Sequence, residues 1–325
     1  FLYSLIIEIT DSTGDVLDRV ESYFGAREVS CEPDDSGHMR LHLNGSPIFH
    51  LGLLDQGWWP DGLLTAPTDE ALKFDIEATL KMGFNTIRKH VKVEPARWYW
   101  HADRLGVLVW QDMPSTVFNM VEFGKQLKKG VEPEEMEWGS ISPGKDPDGF
   151  RSELNAMLTA LQPFASIVAW VPFNEAWGQH DTNETLAHVM RFDPTRLVDG
   201  PSGWTDMGLG HMRDHHLYQG AEQLPEPESG RATVYGEFGG ISLYIDGHSM
   251  FEKGWGYTKT ESVEDFLTSY EELLTVIGGL IPEGLAGAIY TQTTDVESEI
   301  NGLLTYDREY KLQPEKVRLI HERIL

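Results

Sequence analysis

From residue 48 to the C-terminus, short apolar runs alternate with amphipathic ones, and this alternation constrains the chain more than any other feature. The short runs are IFHLGLLD (48–55), NTIRKH (85–90), VLVWQD (107–112), IVAWVPFN (167–174), RLVDGPS (196–202), DHHLYQ (214–219), ATVYGEF (232–238) and AGAIYTQT (286–293). Several are apolar throughout, as strands of a parallel sheet covered on both faces are. Between them lie helical stretches at 69–83, 94–106, 150–162 and 263–278, and a last one at 314–325. Eight βα units in about 280 residues predict an α/β fold, a closed (β/α)8 TIM barrel. The links between strands five, six and seven are weakly marked, so a doubly wound sheet is the alternative.

Local chemistry supports these elements. Asp69 and Glu70 open the first helix and Gly83 follows it, matching the helix dipole and a glycine C-cap. Pro95 and Gly106 bracket the second. Ahead of the alternation, LYSLIIEIT and VLDRVESYFGAREV flank the turn DSTGD and predict two strands. Two strands alone are marginal, so residues 1–30 are expected to be the end of a truncated, immunoglobulin-like β-sandwich, or else a sheet resting on the rest of the chain, with the barrel at 31–325. RLHLNGSPIF then predicts a hairpin, with Asn44-Gly45 in a type I′ turn.

Acidic residues outnumber basic ones 52 to 26, a formal charge of −26, which argues against nucleic acid or an anionic membrane as partner. The single cysteine, Cys31, allows no internal disulfide and fits the cytoplasm, the periplasm or the exterior alike. The opening FLYSLIIEIT lacks the basic start and small-residue cleavage site of a signal peptide. The sequence has no GxxxxGK[ST], HExxH, CxxC or GxSxG, which removes the usual phosphate-loop, zinc-protease, redox and nucleophile-elbow chemistries. His215-His216 diverge in a strand, so no metal or cofactor is expected.

Barrel chemistry occurs at the C-terminal ends of the strands. Glu175 follows strand four and Glu237 closes strand seven, so the two carboxylates can face each other across one mouth. Such a pair is what glycoside hydrolysis requires: one acid to protonate the leaving oxygen, one carboxylate to attack or to activate water. Asn174 precedes Glu175, and neighbours in a regular strand point to opposite faces. Both reach the mouth only if the strand bends or ends there, and Pro172 and Gly178 allow that. Arg88 and His90 share parity at the end of strand two, Asp112 closes strand three, and Tyr218 lies late in strand six. Of 10 tryptophans, Trp58, Trp59, Trp138, Trp177, Trp204 and Trp255 fall in loops after strands, where aromatic faces suit a sugar ring. Pro114 to Gly149, with Trp138 and the run EPEEMEW, is too long for a simple loop and is expected to be a lid or subsite wall, with a plain solvated insertion as the alternative.

Taken together, FGAREV, LNGSPIFHLG, GFNTIRKHVKVEPARWYWHADRLGVLVWQDMPS, VAWVPFNEAWG and VYGEFGG resemble the catalytic barrel of glycoside hydrolase family 2, which includes β-galactosidases, β-mannosidases and β-glucuronidases. The resemblance implies a preceding β-sandwich and a retaining mechanism, with Glu175 as acid/base and Glu237 as nucleophile. It also implies that Asn174 contacts the substrate's 2-hydroxyl, and that Arg88 and Tyr218 support the nucleophile. The sequence departs from the family pattern in three places. LLDQGWW replaces an Asn-Arg-His-Glu-like run after strand one, so that metal site does not carry over. The Asn-x-Lys motif that grips uronates is absent, which disfavours glucuronides. His216 stands where many members have Asn, leaving Asp55 and Gln56 as candidates for the sugar hydroxyls.

The sequence thus predicts a retaining, exo-acting, β-galactosidase-like enzyme acting on glycosides or oligosaccharides. An endo-acting glycanase and a non-catalytic carbohydrate-binding barrel are its rivals. Expected substrate contacts are Asn174, Arg88, His90, Tyr218, Asp55, Asp112, Trp204, Trp177 and His216.

Overall fold

The computed structural model describes residues 1–115, 147–175, 178–218 and 223–325. Eight parallel strands run in chain order around a ring: β6 (His50–Asp55), β7 (Thr86–Lys89), β8 (Leu108–Asp112), β9 (Ile167–Val171), β10 (Leu197–Val198), β11 (Met212–Leu217), β12 (Ala232–Gly239) and β15 (Leu285–Thr291), while β13 (Ile241–Ser242) and β14 (Thr258–Lys259) form a separate short pair. β15 pairs back onto β6 through Gly287 and His50. At the narrowest seam, between β10 and β11, Val198 accepts from the His211 amide at 2.7 Å and Asp199 bridges Met212. A doubly wound sheet has two free edges; here the edges meet, so the barrel reading holds.

The alternation of side chains sorts the core into two layers. Leu54, Trp110, Met212, Val234 and Ile289 fill the lumen. Leu51, Leu53, Ile87 and Val109 face outward onto the helices. These are α1 (Asp69–Lys81), α2 (Ala96–Leu105), α3 (Pro147–Leu161), α4 (Thr182–Phe192), α5 (Val263–Leu280) and α6 (Pro314–Ile324). Thr68 caps α1 by accepting from the Ala71 amide at 3.1 Å, and Ser262 caps α5 by accepting from Asp265 at 3.0 Å. The sequence did not announce α4. Its N-cap Asp181 makes no side-chain cap bond, and only Thr182, Thr185, Leu186 and Val189 are buried on it.

The predicted hairpin closes the bottom of the barrel. β3 (Val29–Pro33), β4 (Met39–Leu43) and β5 (Ser46–Pro47) form a three-stranded antiparallel sheet, with Asn44 at φ 53° and Gly45 at φ 75°. Positive φ at both central residues is the type I′ signature. Leu41 is fully buried among the lumen side chains, and Arg40 donates to the carbonyls of Ile281 and Leu285 at the start of β15.

β1 (Leu2–Thr10) and β2 (Val16–Gly25) pair antiparallel as a ribbon with both faces largely exposed. Among the described residues no third strand joins it, so the structure shows a ribbon and no sandwich. Tyr23 tethers it through Asp103 at 2.8 Å, and Arg27, just beyond β2, donates to the Ala165, Thr195 and Ile167 carbonyls. No described helix is long and apolar enough to cross a membrane.

Leu41→Ala would leave a cavity where the hairpin enters the lumen. Chemical denaturation should show a loss of about 2–5 kcal/mol, the usual cost of such a truncation.

Candidate active site

At the C-terminal mouth, three strand ends deliver polar groups to one buried guanidinium. Arg88 on β7 has no exposed surface. Its Nε and Nη2 grip Asp112 of β8 at 3.0 Å each, Nη2 also reaches Asn174 Oδ1 at 2.7 Å, and Nη1 reaches Glu237 Oε1 at 3.3 Å and the Gly236 carbonyl at 3.1 Å. Burial opposes its charge, but the Asp112 and Glu237 carboxylates prevail and raise its pKa above the ordinary value. Asp112 is lowered in turn: burial pushes it up, and Arg88 outweighs that. His90 adds an Nδ1 contact to Asp112 at 3.2 Å, as its parity with Arg88 predicted.

The opening left by Pro172 is resolved by backbone geometry. β9 ends at Val171, Asn174 bridges Ser202 beyond β10, and Glu175 adopts φ 47°. A left-handed carboxylate residue is uncommon outside turns and functional sites. It turns Glu175 into the mouth alongside Asn174. Asn174 is buried and its Nδ2 has no partner among the described residues, a donor left for something else.

Glu237 reaches the mouth by a different route. The β11–β12 register slips between His215 and His216, so that His215 pairs with Tyr235 and His216 with Glu237. The skipped residue, Gly236, lies against Asp214: a Cβ there would come 1.9 Å from its Oδ2. A bulge of this kind re-aims a side chain at a barrel rim. Tyr218 donates to Glu237 Oε2, and its ring stacks on Tyr257 at 3.5 Å between centroids. Trp255 meets Tyr257 edge-on and is half exposed.

His216 lies between the two carboxylates. Its Nδ1 is 2.8 Å from Glu175 Oε1 and 3.6 Å from Glu237 Oε1; its Nε2 is 2.7 Å from Ser202 Oγ. Ser202 donates to Asp214 Oδ2, whose other oxygen accepts from the Gly236 amide. Burial lowers the His216 pKa, but Glu237 and Glu175 overcome this and raise it; for Glu175 burial acts upward, and the His216 contact brings it below its usual value. Glu175, His216 and Glu237 place one donor atom each within 4.8 Å of one another, a spacing that a divalent cation could bridge. The ring faces two carboxylates with one nitrogen and an already committed hydroxyl with the other, so hydrogen bonds account for the cluster without an ion.

The other expected contacts divide. Asp55 has the outward parity of Leu53, and its oxygens accept from Lys89 Nζ at 2.7 Å and the Gly57 amide at 2.8 Å, so it braces the loop after β6 away from the mouth. Gln56 donates to Gln292, which donates to Asn301, which reaches Glu299; burial and the nearby Glu237 charge raise the Glu299 pKa. Trp204 is partly buried on the loop after Gly203. Trp177, Trp138 and residues 116–146 of the expected strand-three wall lie outside the described residues. Ser202, Asp214 and Tyr257 escaped the sequence reading. Asp214 was within reach of it, since Asp214, His216 and Tyr218 follow the period of two that marks one strand face.

An eight-stranded barrel with two carboxylates at its C-terminal mouth is a scaffold for acid–base or nucleophilic chemistry on a small polar ligand. Residues 65–223 match the family model "Glycosyl hydrolases family 2, TIM barrel domain". Over that stretch, just under half of the chain, the match agrees with the resemblance carried by the motifs. The chain is 26% identical over 202 residues to a β-galactosidase large subunit from Latilactobacillus sakei, covering 61% of this chain and 30% of that one. Against an exo-β-D-glucosaminidase from Amycolatopsis orientalis it is 32% identical over 103 residues, 31% of this chain and 10% of the other. In fold it is similar to a β-glucuronidase from Ruminococcus gnavus (TM-score 0.74, 18% identity, 99% of this chain and 57% of that one). It is also similar to a family 2 β-galacturonidase from Eisenbergiella tayi bound to galacturonate (TM-score 0.71, 18% identity, 99% and 58%). The chain spans less than a third of the length of these curated relatives.

Arg88→Met would leave Asp112 buried without its counter-charge, and unfolding should show a loss of about 3–5 kcal/mol. The pH dependence should change with it. In the parent chain the Asp112 pKa is lowered, so its stabilisation is present above the ordinary 3.8 and lost as pH falls through the folded value. In the variant that acid-side loss should be smaller, because a lone buried carboxyl binds its proton more readily when folded.

Proposed function

We propose that this barrel is a retaining, exo-acting β-glycosidase that removes terminal β-linked sugars. The supporting observation is the approach of Glu175 and Glu237 oxygens to within 4.8 Å of each other. Retaining enzymes hold their carboxyl groups about 5–5.5 Å apart, whereas inverting ones leave about 6.5–9.5 Å for a water.

The surroundings support a division of roles between the two carboxylates. Glu237, anchored by Arg88 and Tyr218, is presented as the nucleophile. It attacks the anomeric carbon as the glycosidic C–O bond breaks. Glu175, past the end of β9, gives a proton to the departing oxygen. In the second half Glu175 takes a proton from water, whose oxygen displaces Glu237 and restores the carboxylate. Asn174 Nδ2, held with its oxygen on Arg88, donates to the 2-hydroxyl beside the reacting carbon. Trp255 and Tyr257 offer aromatic faces next to Tyr218 for the sugar or its aglycone.

The absence of Asn-x-Lys favours a neutral sugar, galactoside first, over a uronide. We also propose that β1–β2 is one edge of a sandwich. Ile6, Ile7, Ile9, Leu17 and Val20 remain exposed, a set of side chains that further strands would cover.

A panel of aryl β-glycosides (galactoside, glucoside, mannoside, glucuronide, N-acetylglucosaminide) tests the reading, with Glu237→Gln alongside. One glycoside should turn over with its β configuration retained by NMR, and the variant should lose on the order of 10³-fold or more in kcat. An α-configured first product would replace retention by inversion. Binding of a sugar without any turnover would favour the carbohydrate-binding reading.

A further inference from the structure

We propose that His216 is a positioning residue that stores the proton of the acid step and passes it to Glu175 when the glycosidic oxygen arrives. The inference rests on Glu175 being the acid/base. It starts from the contacts of one ring. Ser202 has a single hydroxyl proton and directs it to Asp214, which already accepts from the Gly236 amide. Toward His216 Nε2, 2.7 Å away, Ser202 Oγ can therefore only accept, and this short contact, set against 3.4 Å from Arg88 Nη1 to the same nitrogen, gives Nε2 a hydrogen. Nδ1 faces two carboxylates, Glu175 at 2.8 Å and Glu237 at 3.6 Å, and donates as well, the direction in which the raised His216 pKa and the lowered Glu175 pKa both point. Both ring nitrogens donate, so the ring is an imidazolium and Glu175 an acceptor.

A general acid must hold a proton when the leaving oxygen departs. Glu175 alone does not hold one in this arrangement, but its partner does, one hydrogen bond away. As the glycosidic bond breaks, the Nδ1–H bond breaks, an O–H bond forms on Glu175, and that proton goes to the departing oxygen. The ring is left neutral. In the same step Glu237 becomes an ester and loses the charge that supported the imidazolium. Two changes of opposite sign thus occur within 3.6 Å of each other, and the mouth keeps its net charge through the reaction. Hydrolysis reverses both: water gives a proton to Glu175 and on to His216 while Glu237 is released as a carboxylate.

The groups facing the ring are Glu175 beyond β9, Ser202 beyond β10, Glu237 on β12 and Arg88 on β7, with Nη1 3.4 Å from Nε2; Asp214 bonds Ser202 and Tyr218 bonds Glu237 just behind them. His90, Asp112 and the fully buried Asp199 lie one shell further out. The carboxylates outweigh the guanidinium, in line with the raised pKa of His216. Gly203 lets backbone lie flat on the ring: a Cβ there would come 2.8 Å from its Cγ, so the imidazole has little freedom to turn away.

Two measurements on the chain test this. NMR titration of the His216 ring nitrogens should give a midpoint above the ordinary 6.5, moving down by at least about one unit in Glu175→Gln. The second compares phenyl and dinitrophenyl glycosides of the sugar found on the panel. The first leaving group needs acid assistance and the second does not. His216→Asn should cut kcat/KM for the phenyl glycoside at least about tenfold, leave the dinitrophenyl substrate within about threefold, and move the alkaline limb of the phenyl profile to lower pH. A His216 neutral at pH 6, or equal losses on both glycosides with an unmoved alkaline limb, would overturn the proposal and leave His216 a packing residue. Glu175→Gln separates the two readings. If it too affects both glycosides equally, Glu175 is not the acid and the functional reading fails with the inference; if it spares only the dinitrophenyl substrate while His216→Asn does not, the inference alone fails.

Discussion

A positive charge without solvent contact has to be answered by charge and hydrogen bonds, and at the mouth of this barrel Arg88 imposes that demand on three other strands at once. Its planar fork fits Asp112 with two parallel bonds and still has nitrogens for Asn174, Glu237 and the Gly236 carbonyl. Every one of those partners is therefore placed relative to the same rigid group. Desolvating the ions is costly, and the surrounding bonds offset that cost only when all strands are in register. The arrangement of the site and the register of the sheet are one condition.

The two carboxylates come to the mouth through two departures from ideal strand geometry. Glu175 lies past the end of β9 in a left-handed conformation, and Glu237 follows a slip in β12 made around a glycine that no other residue could replace without moving Asp214. A regular strand would have sent Asn174 and Glu175 to opposite faces and would have presented Tyr235 and Glu237 in step with β11. Both irregularities are local and lie on otherwise well-packed strands. Beneath them lies the packed lumen, where Trp110, Met212 and Ile289 are buried together with the hairpin's Leu41.

The barrel was legible because its information is periodic: all eight strands and five of the six described helices follow from apolar spacing and end signals. α4 was not, since its burial rests on few side chains and its N-cap makes no bond. At the site, parity found Arg88 and His90, and strand ends found Glu175 and Glu237. Parity also had the means to exclude Asp55, which follows Leu53 outward to Lys89. It was overlooked because a strand-end carboxylate looks alike in sequence whichever way it points. Ser202 could not be found from sequence. Its neighbours in space, His216 and Asp214, are 14 and 12 positions away, and only the closure of β10 against β11 brings them together.

The ring's final seam also fixes a timetable. β6 is among the first barrel strands to leave the ribosome and β15 is the last, yet each needs the other as its neighbour, and Arg40 of the hairpin waits for carbonyls at Ile281 and Leu285. Until then β6 has an open edge, the hairpin has nothing to close, and Arg88 has Asp112 but no Glu237. Nascent chains of this kind expose a long apolar edge for most of their synthesis. The chain's surplus of 52 acidic over 26 basic residues acts throughout that interval, keeping unfinished copies apart by repulsion before the fold can hide what they share.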